Sequence, residues 1–294
     1  MYAIGIDVGG TWIRVALIDA QMKILKRTTA RTTDFVNIDN FLEALTHMID
    51  EVDNAKIANQ IGMVLPIPWK DDMAHFQDAT NVPFLENVAV EQVREHFPEI
   101  DIFFENDVNV IALLESKIGK RKTYDSLMYI TVSTGIGSGI IINGKLWQGA
   151  QGYAGEVGNM IVPQKNKDLV IVLEDVCSGL ALDVAAKTLY GNHATAESLF
   201  NAYKKNDEQA TDTIDAWLET FSDTLASLMH AVNPEVFILG GSVINNNSWL
   251  IEKITENTKL KLFENLRKYL NIELSHYGDD SGILGAAQLC FSQK

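Results

Sequence analysis

Residues 4–16 read Ile-Gly-Ile-Asp-Val-Gly-Gly-Thr-Trp-Ile-Arg-Val-Ala, so that a Gly-Gly pair interrupts two strand-like runs. Residues 129–142 repeat this arrangement, because Tyr-Ile-Thr-Val leads through Ser-Thr-Gly-Ile-Gly-Ser-Gly into Ile-Ile-Ile. Strand, glycine loop and strand at the start of each half indicate an internal duplication. The pattern predicts two similar α/β lobes whose glycine loops face a single ligand cleft.

Alternating strands and helices extend outward from these loops. The predicted strands span 2–7, 13–19, 23–28, 60–66, 101–105, 127–132, 139–142, 235–239 and 271–277. The predicted helices span 38–54, 89–96, 108–118, 179–190, 196–205, 210–232, 249–267 and 283–292. Asn143-Gly144 predicts a tight hairpin turn, because both positions tolerate positive φ. No Pro/Gly/Ser-rich linker separates the halves, and we expect a hinge near 115–125.

Composition restricts the classes of partner. The 294 residues are 47% hydrophobic, which is enough to bury a large core in two domains. The net charge of −15 repels nucleic acid and anionic membrane surfaces alike. No segment resembles a signal peptide or a membrane span, so we expect a cytoplasmic protein. Cys177 and Cys290 lack CxxC spacing and no histidine pair has metal-ligand spacing, so we expect no zinc site.

Three glycine segments could approach a nucleotide. In Asp7-Val8-Gly9-Gly10-Thr11 the glycines allow backbone N–H groups near phosphate oxygens, and Asp7 at a strand end can hold Mg²⁺ through water. A plain hairpin turn is the alternative for this segment. Residues 133–139 suit an anion-binding nest and match neither a Walker nor a Rossmann loop. Gly240-Gly241 would expose bare backbone to an adenine or ribose, although such strand-Gly-Gly-helix joints are frequent.

Polar clusters follow two other segments. Asn106-Asp107 lies where a strand ends and a helix begins, and a carboxylate there can accept a hydroxyl proton. The alternative is that one of the two residues only caps the helix. Glu156, Asn159 and Glu174 carry carboxylates and an amide that can pair with the hydroxyls of a polyol, and Glu174 could equally be a solvated surface acid.

The order of these motifs over essentially the whole chain resembles the ROK family of sugar kinases, which have the two-lobed actin-like ATPase (ribonuclease H-like) fold. The resemblance rests on DVGGT at 7–11, LPIP at 65–68, Asn106-Asp107, STGIGSG at 133–139, GEVGN at 155–159, LEDVCSG at 173–179 and ILGGSV at 238–243. It implies an N-terminal lobe of residues 1–118, completed by the C-terminal helix 282–294, and a C-terminal lobe of residues 119–281.

The resemblance also implies residue roles. Asp107 matches the general base that takes the proton of a sugar hydroxyl. The positions that match sugar contacts are Asn81, Asn106, Asp107, Glu156, Asn159 and Glu174. The positions that match the site of ATP are Asp7, Gly9, Gly10, Thr11, Thr134, Gly135 and Gly137 for the phosphates and Gly240 and Gly241 for adenosine, with Mg²⁺ held by Asp7 through water. The implied reaction moves the γ-phosphoryl group of ATP to a hydroxyl, in our interpretation the 6-OH, of a hexose or hexose derivative.

Two departures from the family pattern concern the sugar. Asn159 stands where many members have a histidine linked to a zinc cluster, and the cluster's cysteines are missing, so zinc is again not expected. Ile67 stands where the family usually has glycine, and we expect it to narrow the sugar pocket. The sugar therefore stays open among glucose, mannose, fructose, allose, N-acetylmannosamine and a β-glucoside.

The same departures motivate an alternative, a sugar-binding regulatory or sensor protein without significant catalysis. Retention of Asp107 with both glycine loops favours the enzyme. An acetate or glycerol kinase fits GEVGN poorly. A DNA-binding role is not expected, because the DVGGT strand begins at residue 2 and leaves no room for a helix-turn-helix ahead of it. Dimers are common in the family, so a homodimer is an open expectation.

Overall fold

The chain folds into ten strands and ten α-helices over residues 1–117, 124–163 and 170–292, which a computed structural model describes. The strands are β1 (Tyr2–Val8), β2 (Trp12–Asp19), β3 (Ile24–Arg31), β4 (Gln60–Leu65), β5 (Asp101–Asn106), β6 (Ser126–Val132), β7 (Ile136–Ile142), β8 (Lys145–Leu146), β9 (Val236–Gly240) and β10 (Ile272–Leu274). The helices are α1 (Ile38–Val52), α2 (Val90–His96), α3 (Asp107–Glu115), α4 (Leu173–Cys177), α5 (Gly179–Tyr190), α6 (Ala196–Tyr203), α7 (Glu208–Ala231), α8 (Ser242–Asn245), α9 (Leu250–Lys261) and α10 (Ser281–Phe291).

Contacts divide the chain into two units. The first unit consists of Met1–Thr123, Lys145–Ala154 and Tyr277–Lys294, and the second of Tyr124–Gly144 and Gly155–His276. Much of the expected hinge near 115–125 lies outside the described residues, and the lobe boundaries given above stay a prediction. None of the helices in the described ranges has the length and apolar character that a membrane span needs.

The first unit is built on a mixed sheet in the order β3-β2-β1-β4-β5. Strands β1, β2 and β3 pair antiparallel, whereas β1, β4 and β5 pair parallel. Strands β1, β2 and β4 are mostly buried along their length. Since alternate side chains of a strand point to opposite sides, both faces of the sheet are covered at these strands. Along β2, Val15 and Leu17 belong to the core that includes α1, whereas Ala16 and Ile18 belong to the core that includes α10.

Helix α10 approaches this sheet unusually closely. A Cβ atom built on Gly62 in β4 would lie 1.9 Å from the carbonyl oxygen of Ala286, and one on Gly5 in β1 would lie 2.6 Å from that of Ile283. Only glycine leaves room for a helix backbone at such a distance. The two glycines therefore bring α10 onto the parallel strands that carry the polar motifs at their ends.

The second unit repeats the plan of the first. Its strands lie in the order β10-β9-β6-β7, with β6 and β7 antiparallel and β6, β9 and β10 parallel, which corresponds to β5-β4-β1-β2. The core is formed largely by the long helix α7, including Trp217 and Phe221. The repetition supports the duplication inferred from the two glycine loops. Asn143 and Gly144 have φ values of 52° and 70°, which confirms the predicted turn.

Several predicted boundaries were wrong. The helix predicted over 249–267 ends at Lys261, because Leu262 adopts an extended conformation that buries its side chain. A short 3₁₀ segment over 264–269 follows. The strand predicted over 271–277 is reduced to β10, and the short helices α4 and α8 were not predicted. Short elements of four or five residues carry too little periodicity to be recognised.

Candidate active site

The polar motifs of the first unit meet at one edge of its sheet. Strands β1, β4 and β5 are parallel, so their carboxyl ends lie side by side. This places the turn at Gly9 and Gly10 on the same edge as Asn106 and Asp107. Asn81 lies next to the turn, because a Cβ atom on Gly10 would be 3.5 Å from the Cβ of Asn81.

The Gly9-Gly10 turn is held by hydrogen bonds of its backbone. The N–H of Gly9 donates to the carbonyl of Trp12 at 2.9 Å, and the hydroxyl of Thr32 donates to the carbonyl of Gly9 at 2.6 Å. Neither glycine adopts positive φ, so the turn conformation does not itself require glycine. Gly10 and Thr11 are exposed. A rigid turn with exposed small residues suits the predicted contact with phosphate.

Asp7 lies in β1 just before this turn and is buried. Arg14, which faces it from β2, donates to Asp7 Oδ2 at 2.9 Å. Burial raises the pKa of Asp7, and the charge and hydrogen bond of Arg14 lower it. Sequence reasoning missed Arg14, although its position opposite Asp7 follows from the hairpin register. One oxygen of the Asp7 carboxylate is already paired with Arg14. This arrangement agrees with the expectation that Asp7 would hold Mg²⁺ through water.

Asn106 caps helix α3. Its Oδ1 accepts hydrogen bonds from the backbone N–H groups of Val108 at 2.9 Å and Asn109 at 3.2 Å, and its Nδ2 donates to the carbonyl of Ile67 at 3.0 Å. Asn106 thus caps the helix, and its contact with a sugar hydroxyl stays a prediction. Asp107 is the first residue of the helix, is half-buried, and accepts from the N–H of Val108 through Oδ1 at 2.9 Å. The cap holds the backbone that carries Asp107.

The side chain of Ile67 lies in the hydrophobic core of the first unit and is only 1% exposed. The expectation that it narrows a solvent-filled pocket is therefore not supported. The backbone of Ile67 contributes instead, through the carbonyl that accepts from Asn106.

Glu105 is a buried carboxylate that sequence reasoning did not single out. Its Oε1 accepts from the backbone N–H of Asn106 at 2.8 Å and from Asn109 Nδ2 at 2.9 Å, and its Oε2 accepts from Gln148 Nε2 at 2.6 Å. Burial raises the pKa of Glu105 to about 7 against the lowering effect of these hydrogen bonds, and Asp71 raises it further. The position of Glu105, a charged residue at the end of an apolar strand, could have identified it from the sequence.

The raised pKa predicts how stability changes with pH. A carboxyl that holds its proton more tightly in the folded state stabilises the protein at low pH, and this contribution is lost as pH rises from 4.5 towards 7. Glu105→Gln removes the effect, so its free energy of unfolding relative to wild type should rise by about 1.4 kcal/mol per pH unit within that window. Urea unfolding from pH 4.5 to 8.5 measures this. A difference that is flat over the window would contradict the assignment.

In the second unit, the loop after β6 is held by the start of α5. The N–H groups of Gly179 and Leu180 donate to the carbonyls of Ser133 at 2.7 Å and Thr134 at 3.3 Å. Thr134 is exposed and Gly135 is half-buried. The loop is shorter than the motif indicated, because β7 begins at Ile136. Gly137 therefore lies within β7 and pairs with Thr131, and its contact with phosphate stays a prediction.

Glu174 supports this loop directly. Its Oε2 accepts from the backbone N–H of Ile136 at 2.7 Å, and a Cβ atom on Gly135 would lie 2.5 Å from the same oxygen. The side chain is exposed but bound to the loop, so it is more than a solvated surface acid. Glycine at position 135 is needed for this close contact.

The loop from Gly155 to Asn159 packs against β7. Cβ atoms on Gly155 and Gly158 would lie 2.3 Å from the carbonyl oxygen of Ser138 and 2.4 Å from that of Ile136. This packing leaves Glu156 and Asn159 exposed, with Asn159 Nδ2 3.5 Å from Glu156 Oε2. The two predicted sugar contacts therefore lie together on the surface of the second unit.

Gly240 and Gly241 pack tightly against neighbouring strands of the second sheet. Gly240 is buried at the end of β9, where a Cβ atom would lie 2.5 Å from the hydroxyl of Tyr129. Gly241 has a φ of 86°. A Cβ atom on Gly241 would lie 2.4 Å from the carbonyl oxygen of Val132. Both glycines thus allow close packing of the second sheet, and their contact with adenosine stays a prediction.

A cavity of about 570 Å³ opens beside these glycines. Ser133 and Thr134 line it from the loop after β6, and Ser242 and Val243 line it from the segment after β9. The remaining lining comes mainly from α5, α6 and α8, and includes the polar side chains of Asp183, Glu197, Asn201, Lys204, Asn246 and Asn247. The volume of the cavity fits a nucleoside. Thr134, which belongs to the predicted phosphate loop, is one of its lining residues.

The sequence profile of the ROK family matches residues 3–293. The glucokinase of Thermotoga maritima is 27% identical over 310 residues, which cover 97% of this chain and 96% of that protein. The N-acetyl-D-glucosamine kinase of Pectobacterium carotovorum is 25% identical, with 97% of each chain covered. The crystal structure of a ROK hexokinase from Thermus thermophilus matches with a TM-score of 0.84 and 26% identity over 98% of this chain and 97% of that one. These matches confirm the resemblance in motifs and the expected fold class, and the chain belongs to the ROK family.

Proposed function

We propose that this protein is an ATP-dependent sugar kinase that transfers the γ-phosphoryl group to a hydroxyl, the 6-OH in our interpretation, of a hexose or hexose derivative. The observation that carries the proposal is the placement of Asp107. It is a half-buried carboxylate at the first turn of α3, held by the Asn106 cap, on the sheet edge that also bears the Gly9-Gly10 turn. Two relatives of the chain, the glucokinase and the N-acetyl-D-glucosamine kinase described above, are sugar kinases.

In this mechanism Asp107 accepts the hydroxyl proton as the sugar oxygen attacks phosphorus. Within the first unit the backbone at Gly9 and Gly10 binds phosphate, and within the second unit the Thr134-Gly135 loop lies beside the cavity that holds the nucleoside. Mg²⁺, held through water by Asp7, would neutralise phosphate charge when bound. Phosphoryl transfer depends mainly on positioning and charge neutralisation, which these parts provide. Because it uses ATP, we place the protein in the cytoplasm, and a homodimer stays an expectation.

The test is an ADP-release assay with Mg·ATP and a panel of glucose, mannose, fructose, allose, N-acetylmannosamine, N-acetylglucosamine and a β-glucoside. We expect strong turnover with one of them, unchanged by a zinc-selective chelator. Silence across the panel, together with a sugar-dependent rise in melting temperature, would instead support the sensor alternative.

A further inference from the structure

The carboxylate of Glu105 links two segments of the first unit that carry or precede predicted site residues. One oxygen binds the backbone N–H of Asn106 and the side chain of Asn109, both at the start of α3. The other binds Gln148, 43 residues further along the chain. Glu105 therefore joins the backbone that carries Asp107 to the segment Lys145–Ala154.

That segment is fastened to the rest of the first unit at two further points. Gly152 lies against the backbone of Trp69, where a Cβ atom would be 2.7 Å from the carbonyl oxygen. The hydroxyl of Tyr153 donates to Asp78. Gly155 and Glu156, the start of the predicted sugar loop, follow directly in sequence. The Glu105–Gln148 hydrogen bond thus ties this segment to the residue that also holds the start of α3.

We propose that Glu105 is a positioning residue whose carboxylate fixes Asn106 and Asp107 at the start of α3 and, through Gln148, holds the segment that leads into the sugar loop. This inference rests on the proposed function, because it assigns Glu105 a part in placing the base and the sugar contacts. Glu105 itself touches no predicted substrate position.

A purely structural role explains the carboxylate poorly. A buried charge is costly even when hydrogen-bonded, and a neutral glutamine could satisfy Asn109 and, with the amide of Gln148 turned over, Gln148 as well. Asp71 is the charged group that adds repulsion at Glu105. What glutamine cannot supply is the charge-assisted hydrogen bond to the N–H of Asn106, which is roughly twice as strong as a neutral one. The negative charge of Glu105 therefore strengthens the hydrogen bond that holds the backbone next to Asp107.

The link can be tested by exchanging its partners. Glu105→Gln weakens the hold on Asn106, and we expect kcat/KM to fall by about 10- to 100-fold, because small misplacements of a reacting group have effects of this size. Gln148→Glu sets two carboxylates against each other, and we expect the Kd for the sugar to rise by about 10-fold at pH 8 and to recover towards pH 6, where the pair can share a proton.

The double variant Glu105→Gln/Gln148→Glu restores a hydrogen bond with donor and acceptor reversed. We expect its Kd for the sugar, measured by calorimetry without ATP, to return to within about threefold of wild type, because the coupling of contacting residues is not additive. Asp53→Asn is the matched control. Asp53 is a buried carboxylate of the same unit that accepts from the backbone N–H groups of Ile57 and Ala58, and its loss should leave Kd and kcat unchanged.

Additive effects in the double variant, or Kd and kcat within twofold of wild type in both single variants, would overturn the proposed link. These outcomes differ from failure of the kinase proposal itself, which would show as no turnover of the wild-type protein with any sugar of the panel. Should Glu105→Gln fold poorly, Gln148→Glu still tests the link, since its pH-dependent Kd has no counterpart in a residue that serves stability alone.

Discussion

Replacing Asp107 by Asn is expected to lower kcat by roughly 10²–10⁴-fold, which is the usual contribution of a general base. Asparagine has nearly the same size, and its Oδ1 can keep the hydrogen bond from the N–H of Val108. It cannot accept a proton at neutral pH, so the chemical step loses its base while the backbone stays in place. The Kd for the sugar, measured by calorimetry, should change far less than kcat.

Asp101→Asn provides a matched control, because Asp101 is an exposed carboxylate at the start of β5, the strand that directly precedes Asp107. We expect its kcat and KM to equal those of wild type. A kcat for Asp107→Asn within about threefold of wild type would remove Asp107 from the catalytic role, since even a modest general base contributes more than this.

Gly62→Ala is expected to destabilise the first unit by more than about 3 kcal/mol, at the upper end of what overpacking causes. The new Cβ atom would lie 1.9 Å from the carbonyl oxygen of Ala286. Neither atom belongs to a flexible side chain, so the strand or helix α10 has to move as a whole. A fall in melting temperature of roughly 6–12 °C measures the effect.

Gly278→Ala is the control for this substitution, because Gly278 belongs to the same unit and a Cβ atom there would meet nothing within 4 Å. Its melting temperature should stay close to that of wild type. An unchanged melting temperature in Gly62→Ala would show that α10 does not pack on β4 as closely as described.

Local patterns predicted most of the regular structure. The helix predicted over 179–190 has the same bounds as α5, and the two strands that flank the first glycine loop lie within one residue of their predicted bounds. These elements are long or strongly periodic, so few residues suffice to identify them. The ends of α9 and β10 were missed, since a buried Leu262 ends the helix through tertiary packing that no local pattern records.

The glycine motifs predicted where the loops lie, but they did not predict which neighbouring atoms surround each glycine. The Gly9-Gly10 turn is exposed and held in place, as a phosphate contact requires. Gly137 and Gly240 look equivalent in the sequence, yet one pairs within β7 and the other makes room for Tyr129. A glycine in a sequence motif indicates that the backbone can approach another group closely. Which group occupies that space depends on the tertiary structure.

The sequence by itself determined the duplicated α/β plan, the family, and the chain positions of the predicted base and loops, because periodicity and motif order are properties of the chain alone. Only the tertiary structure decided that Arg14 pairs with Asp7 and that Glu105 binds Gln148. The physical reason is that these contacts depend on sheet register and burial, which bring together side chains as far as 43 residues apart and change the cost of their charges.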